Sequence, residues 1–388
     1  MGALMRILVT LDYYHPHWTG LTAYAKRLAE GLVARGHTVT VLTSQHDATL
    51  DRSERINGVY VIRSRVIARV SRGVVMPLFP ISLARLIAQH DIVHIHTPMP
   101  EALIVTLLAR LLGKPSLVTH QGDVVMPTGQ FNSLIQQGVT LLKLGMQFAD
   151  YIVVHSADYG RHSSFLAPFT HKLGAIHPPV ELPSPNLTDV AAKQRLLGLE
   201  GKKIVGFAGR FVEEKGFDIL LQALPLIIQL MPDVHFVYAG ETQVRYEDFY
   251  SRCVPLIEAN QSHLTMLGLL RNPQDLADFY AMCDVFVVPS RTDCFPSVQL
   301  EALLSGTPLV TTDIPGAREV VQITGMGQIV LSNNPQALAE GIITVLQDTV
   351  YQPTRQAVQS IFSTERCFDQ YESLMLLLIN RDLPQRHN

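Results

Sequence analysis

Lys203-Ile204-Val205-Gly206-Phe207-Ala208-Gly209-Arg210-Phe211-Val212-Glu213-Glu214-Lys215-Gly216-Phe217 changes character twice within a few residues. Lys203–Ala208 is a short, nearly continuous apolar run, the pattern of a strand buried on both faces. Glycines bracket the loop that follows. From Phe217 to Leu230 the apolar positions recur with a helical period. Strand, glycine-bounded loop and helix make up half of a β-α-β unit, and the same alternation extends in both directions along the chain.

Downstream, strands are expected at His235–Ala239, Thr265–Leu267, Val285–Pro289 and Leu309–Thr312, with helices at Arg245–Glu258, Asn272–Met282 and Ser297–Ser305. Upstream, strands fit Arg6–Thr10, Thr38–Thr43, Val59–Arg63, Ile92–His96, Ser116–His120 and Tyr151–His155. Helices there fit Leu21–Arg35, Pro80–Gln89, Glu101–Leu112 and Asn132–Phe148. Gly36 stops the first of these, and Gly113 with Pro115 stops the third. The segment from His177-Pro178-Pro179 through Pro183 and Pro185 to Asn186 suits neither strand nor helix and reads as a linker. Two doubly wound α/β domains in tandem are therefore expected, over residues 1–178 and 179–362. A last segment, 363–388, has a helical pattern over Ser363–Ile379, and its run Leu374–Ile379 needs a partner surface, expected on the N-terminal domain. Ligands of such sheets bind at the carboxyl ends of the strands, so two facing domains make the cleft between them the expected site.

Composition narrows the class without naming a function. The 388 residues are 47% hydrophobic and 17% charged, which excludes a disordered or fibrous chain and suits two cores. A net charge of -3 argues for neither a nucleic-acid binder nor an acidic tail, and no nucleic-acid partner is expected. Cys253, Cys283, Cys294 and Cys367 lie far apart with no C-x-x-C, as expected of a reducing, cytoplasmic setting. Met1 runs almost directly into the first strand, which leaves no room for a signal peptide, and Arg6 does not fit a myristoylation signal. The longest nearly apolar stretch, Ala102–Gly113, is too short for a bilayer span.

The turn after the first strand, Asp12-Tyr13-Tyr14-His15-Pro16, is not G-x-G-x-x-G, and P-loop, nucleophile-elbow and D-x-D motifs are missing from the sequence. The loop Gly209–Gly216 instead places Arg210 and Lys215 at a strand end, beside glycines that admit a ligand close to the backbone. Two fixed cations there suit a diphosphate when no metal neutralises it. A second constellation, Asp293-Cys294-Phe295-Pro296-Ser297-Val298-Gln299-Leu300-Glu301, follows the strand Val285–Pro289. Pro296 fits a first helical position, which aims the N–H groups of Ser297 and Val298 at an anion. Asp293 and Glu301 can each grip vicinal hydroxyls. The alternative for both stretches is a surface loop and helix entry with ordinary solvated charges.

Together these motifs resemble the retaining, nucleotide-sugar-dependent glycosyltransferases of family 4, which have the GT-B fold of two Rossmann-like domains. That family shows an Arg-x4-Lys pair, here Arg210 and Lys215. Its Glu-x7-Glu motif appears as Asp293-x7-Glu301, and E-A-x-x-x-G-x-P continues as Glu301-Ala302-Leu303-Leu304-Ser305-Gly306-Thr307-Pro308. The resemblance implies a hexosyl group moved from a UDP- or GDP-linked sugar to an acceptor hydroxyl of a glycolipid, lipid-linked or polysaccharide precursor, with no cofactor and no metal. Arg210 and Lys215 would hold the diphosphate near Gly209, Glu301 the ribose, and Asp293 the donated sugar, with Phe295, Pro296, Ser297 and Val298 lining the donor. From the N-terminal domain, Gly20 would admit the diphosphate, and His120 would face the sugar with Asp123 behind it. Attack on the same face as the departing diphosphate would need no enzyme base, leaving the protein orientation and charge stabilisation.

Asp293 in place of the usual Glu shortens one carboxylate arm, Thr19 replaces the first glycine of the usual pair, and Cys294 and Pro296 replace small residues. An epimerase, a phosphorylase or a non-catalytic nucleotide-sugar-binding protein on the same scaffold are the competing readings. His94-x-His96 has metal-ligand spacing but no convincing further ligand, so both are read as polar residues at a strand end. The helix Leu134–Phe148 is read as core. Ile62–Arg72 interleaves Arg63, Arg65, Arg69 and Arg72 with apolar residues, which suits a strand and loop or an anionic membrane surface, and peripheral contact with the inner face of the cell membrane is therefore considered. Residues 1–180 carry 16 basic and 10 acidic side chains, a balance of +6, and residues 181–388 carry 15 and 24, a balance of -9. The near-neutral total hides a basic acceptor-side half.

Overall fold

A computed structural model describes residues 3–70, 73–124, 132–244, 247–348 and 350–381. The chain divides into two compact units, one from the residues up to Pro179 together with those from Glu365 onward, the other Val180–Thr364.

In the first unit the strands are β1 (Arg6–Thr10), β2 (Thr38–Gln45), β3 (Ser53–Ile56), β4 (Val59–Arg65), β5 (Ala68–Val70), β6 (Gly73–Val75), β7 (Ile92–Thr97), β8 (Ser116–His120), β9 (Tyr151–Val154) and β10 (Leu173–Ala175). Eight of them form one sheet in the order β10-β9-β8-β7-β1-β2-β4-β3, and β5 and β6 form a separate antiparallel hairpin. Apart from β3, which runs antiparallel to β4, the sheet is parallel. Its central strands are apolar because both faces are covered: Ile7, Val9, Val41 and Leu117 pack against Tyr24, Leu28 and Leu32 of the helix Gly20–Ala34. The same core takes Cys367, Phe368, Tyr371, Met375 and Leu378 from the helix Thr364–Asn380. The apolar run Leu374–Ile379 thus has its partner surface in the first unit.

The second unit holds β11 (Lys203–Ala208), β12 (Val234–Ala239), β13 (Leu264–Met266), β14 (Val285–Val288), β15 (Leu309–Thr312) and β16 (Gly327–Val330), in the order β13-β12-β11-β14-β15-β16, all parallel. Residues 176–186 have no regular structure, and the helix Leu187–Leu196 starts where Asn186 accepts from the Thr188 N–H. In both sheets the first strand neighbours strands reached by connections running in opposite directions, β2 and β7 around β1, β12 and β14 around β11. The carboxyl ends of these pairs are where open α/β sheets take their ligands.

Three sequence expectations shift. The helix expected over Ser297–Ser305, with Pro296 suited to its first position, runs over Val298–Leu304, where Gln299 N–H turns back to the Pro296 carbonyl and Glu301 N–H to that of Ser297. The helix expected from Arg245 is described over Phe249–Ala259, and Arg245 itself lies outside the described residues. Among the described residues, β3, the β5–β6 hairpin, β10 and β16 were not expected, and neither were the helices Leu187–Leu196, Arg318–Thr324, Pro335–Gln347 and Arg355–Ile361.

Candidate active site

In the second unit, β11 is followed by Gly209, whose carbonyl accepts from the Tyr238 hydroxyl at 2.7 Å. A short 3-10 turn, Glu213–Lys215, then leads to Gly216, which has φ 70°. A Cβ on Gly216 would stand 2.0 Å from the Pro289 carbonyl oxygen, so only glycine lets the turn lie against the end of β14. That approach brings the two sequence constellations together. Lys215 Nζ lies 2.5 Å from Asp293 Oδ2, an ion pair across 78 residues of chain. Burial works against the Lys215 ammonium, but the carboxylates of Asp293 and Glu214 outweigh it and hold the pKa above the usual lysine range. Lys215 is therefore a fixed cation at neutral pH. Arg210, partly exposed, reaches Glu214 Oε1 at 3.5 Å.

Two structures hold this loop that the sequence did not reveal. Arg291, just after β14, donates to both oxygens of Asp218 at 2.8 and 2.7 Å, and to the carbonyl of Glu213. Its own N–H reaches the carbonyl of Glu214. A bidentate guanidinium thus clamps the Lys215 turn to the Asp293 loop. On the other side, Gly316 has φ 88°, and a Cβ there would stand 2.3 Å from the Cys294 carbonyl oxygen. The sequence carries no local signal for either partner, since the contacts join residues far apart in the chain.

Glu301 lies in the first turn of the helix Val298–Leu304 and is buried, accepting from the Tyr280 hydroxyl at 2.8 Å. It is not a solvated helix acid. Phe295 is buried in the core, whereas Ser297 and Val298 are half-buried at the helix start. Burial pushes the Cys294 thiol up to about 12, which leaves it neutral and poorly nucleophilic.

In the first unit, His120 closes β8. Its Nδ1 pairs with Thr97 Oγ1 at 2.9 Å, its Nε2 with Asp123 Oδ1 at 3.0 Å, and its ring stacks on Phe165 with centroids 5.1 Å apart. The ring is fully buried, so His120 faces Asp123 rather than an open surface. Asp123 also accepts from Ser163 Oγ at 2.8 Å. Burial would raise its pKa, but the bonds from His120, Ser163 and Tyr159 hold it below the usual carboxylate range. Gly20 begins the helix Gly20–Ala34, and a Cβ there would meet nothing within 4 Å. Thr19 caps that helix in a reciprocal pair with Thr22, which gives the bulkier residue a structural task.

The remaining candidates resolve into structure. His94 and His96 are wholly inside β7, their rings 4.3 Å apart, with His94 Nε2 bonded to Thr119 Oγ1 at 2.7 Å. Among the described residues no three His, Cys, Asp or Glu side chains are grouped to hold a metal ion. The helix Asn132–Phe148 buries Leu142 and Met146, and Gly145 packs on the backbone of Ala102 and Leu103. In the arginine-rich segment, Arg63 is buried and paired with Glu54 at 2.5 Å, and it donates to the carbonyls of Asp51 and His15, so it is not a surface cation. Arg69 is exposed and donates to the His46 carbonyl, and Ser71 and Arg72 lie outside the described residues. No described helix is long and apolar enough to cross a membrane.

Two units built on largely parallel sheets, with a cation–carboxylate pair at the strand ends of the second, have the architecture of the GT-B class. The family described as Glycosyl transferases group 1 matches residues 202–348, and that described as Glycosyl transferase 4-like domain matches residues 19–170. The chain belongs to the family 4 glycosyltransferases. It is 27% identical over 359 residues to the phosphatidyl-myo-inositol mannosyltransferase of Mycobacterium tuberculosis, covering 89% of each chain. It is also 27% identical to an uncharacterized glycosyltransferase of Methanocaldococcus jannaschii, covering 88% of each. Spore coat protein SA of Bacillus subtilis is 35% identical over 158 residues, and that match spans only 39% of this chain and 42% of that protein. Among solved structures, a sucrose-phosphate synthase of Thermosynechococcus elongatus superposes with a TM-score of 0.79 at 20% identity, over 97% of this chain and 100% of the other. The Anabaena HepE protein, solved with UDP-glucose, gives 0.76 at 20% identity over 96% and 100%.

Proposed function

We propose that this chain transfers a hexosyl group from a UDP- or GDP-linked sugar to an acceptor hydroxyl, with retention of anomeric configuration and without a divalent metal. The observation that carries the proposal is the half-buried Lys215–Asp293 pair, clamped by Arg291 and flanked by Arg210 at the end of β11. Bond cleavage leaves a nucleoside diphosphate that gains negative charge, and cations already held in place stabilise it without reorganising at the moment of reaction. In this reading Lys215 and Arg210 bind the diphosphate beside Gly209, while Asp293 takes the sugar hydroxyls at the same point. The Lys215–Asp293 bond keeps both side chains oriented before the donor arrives. Glu301, set by Tyr280, takes the ribose hydroxyls, and Phe295, Pro296, Ser297 and Val298 border the donor.

From the first unit, Gly20 leaves room for the diphosphate. His120 acts as a positioning residue, setting Asp123 and the chain after β8 for the sugar. Contact with an anionic membrane at the inner face of the cell membrane rests on exposed Arg65 and on Ile67 and Val75 of the β5–β6 hairpin, and salt-dependent liposome sedimentation checks it.

Incubating the chain with UDP- and GDP-hexoses and an acceptor panel, with and without chelator, and determining product anomers by NMR tests the reaction. Transfer with retention that survives chelation supports it. Epimerised donor, or binding without turnover, contradicts it.

A further inference from the structure

A second constellation in the first unit is not used by the donor chemistry. Where β1 ends the chain reads Asp12-Tyr13-Tyr14-His15-Pro16-His17-Trp18, and β2 delivers His46 beside it. The Tyr13 and His17 rings stack with centroids 4.5 Å apart, and His46 packs against them at 5.7 and 5.4 Å. Trp18, the chain's single tryptophan, is 59% exposed. The Asp12 carboxyl is hydrogen-bonded to Glu101, just beyond β7. The strand order β7-β1-β2 puts these groups where the connections of the sheet reverse direction.

Buried polar atoms are almost always paired. Here one oxygen each of Asp12 and Glu101, the hydroxyl of the fully buried Tyr14, and Nδ1 of His15 and His46 are all buried without a protein partner. Such a concentration at one set of strand ends is a set of directional groups meant for something else. Its chemistry selects the ligand. Two carboxyls hydrogen-bonded to each other share a proton and so present donor and acceptor side by side; burial raises both, and Glu101 raises Asp12 further, well above the usual range. A sugar hydroxyl, which both donates and accepts, matches that combination. The exposed Trp18 and the half-buried Tyr13 are flat rings with polar edges, which suit the C–H face of a pyranose. Of the two arginines beside the cluster, Arg63 is buried and paired with Glu54, and Arg69 is exposed and donates to the His46 carbonyl.

We infer that this cluster is an acceptor subsite, and that the acceptor group it holds is a neutral saccharide unit, hydrogen-bonded by Asp12 and Glu101 and stacked on Tyr13 and Trp18. The inference rests on the reading of the chain as a hexosyltransferase.

Because Trp18 is the one tryptophan, its emission reads the site directly. Titration of the full chain with methyl glycosides and disaccharides of neutral hexoses should shift that emission saturably. Asp12→Asn with Glu101→Gln, or Tyr13→Ala, should weaken the response about tenfold or more. Melting curves confirm folding, and His46→Gln, at a half-buried position, serves if the carboxyl variant unfolds. Binding of UDP and GDP is measured separately and should depend on Lys215. Nucleotide binding that is indifferent to Lys215→Ala sinks the donor reading while leaving the saccharide titration to stand by itself. If no saccharide moves Trp18 while nucleotide binding depends on Lys215, or if only inorganic phosphate or phosphatidylglycerol vesicles move it, the subsite assignment is overturned.

Discussion

Lys215 and Asp293 show how little of a site is visible in a motif until the fold joins its parts. Each motif is legible on its own because it follows a readable strand, but the 2.5 Å pair between them exists only because Gly216 lets the turn touch the Pro289 carbonyl. Two glycine substitutions therefore have opposite expected outcomes. Gly216→Ala places a Cβ 2.0 Å from backbone at φ 70°, and melting should show a loss of about 2 kcal/mol or more along with weakened donor binding. Gly20→Ala meets nothing within 4 Å and should melt like the parent, so a fall in donor affinity in that variant reports a ligand at the helix start. Arg291→Ala should loosen the same turn from outside it. It removes a bidentate pair to Asp218 and the side-chain bond to the Glu213 carbonyl, and a drop in kcat of about tenfold with folding retained is the expected reading.

At the scale of elements, the helix Thr364–Asn380 is anchored by polar contacts inside an apolar core. Tyr371 donates to or accepts from Thr119 Oγ1 at 2.9 Å and meets the Tyr24 hydroxyl at 2.6 Å, and Thr119 in turn bonds His94. Tyr371→Phe should cost about 1–2 kcal/mol in chemical denaturation, because it leaves two buried hydroxyls short of a partner. Three histidines of this core, His94, His96 and His155, are held neutral. Burial lowers His94 to about 3 and His155 to about 4, and drives His96 well below its usual range, with His94 and His155 adding to the effect. The unfolded chain binds protons at these sites from about pH 6.5 downward while the folded chain does not. Stability is therefore fully present above that pH and falls as pH drops from about 6.5 toward 4, by up to ~1.4 kcal/mol per pH unit for each histidine. Urea midpoints measured across that window should slide steeply downward, and His94→Asn should flatten the slope. The strands around these histidines were legible as apolar runs. The edge strands were not: β3 alternates exposed and half-buried residues, and β16 is half-buried throughout, so neither has the continuous apolar signal of a strand covered on both faces. The helix Pro335–Gln347 did have a readable start in Asn334-Pro335.

For the molecule as a whole, the tandem α/β architecture was readable because parallel strands buried on both faces announce themselves, and the family followed from motifs placed just after β11 and β14. What the sequence could not show was burial and long-range pairing. His120 has its ring enclosed, Arg63 is an internal cation, and Asp12 and Glu101, far apart in sequence, meet because they follow the neighbouring strands β1 and β7. The charge contrast between the halves, +6 against -9, had pointed to an anionic acceptor. With Arg63 internal and a carboxyl pair at the end of β1, the first unit instead favours hydroxyl chemistry. The central claim is that fixed cations take the place of a metal at the leaving diphosphate. It is tested most directly by the sugar-transfer rate of Lys215→Ala, and of Lys215→Ala with Asp293→Asn to remove the orphaned carboxylate, against the parent in the presence of chelator. The account predicts a parent rate unchanged by chelator and a loss of about a hundredfold or more in both folded variants. A folded Lys215→Ala chain that transfers sugar at the parent rate, or a parent that stops when metal is removed, would contradict it.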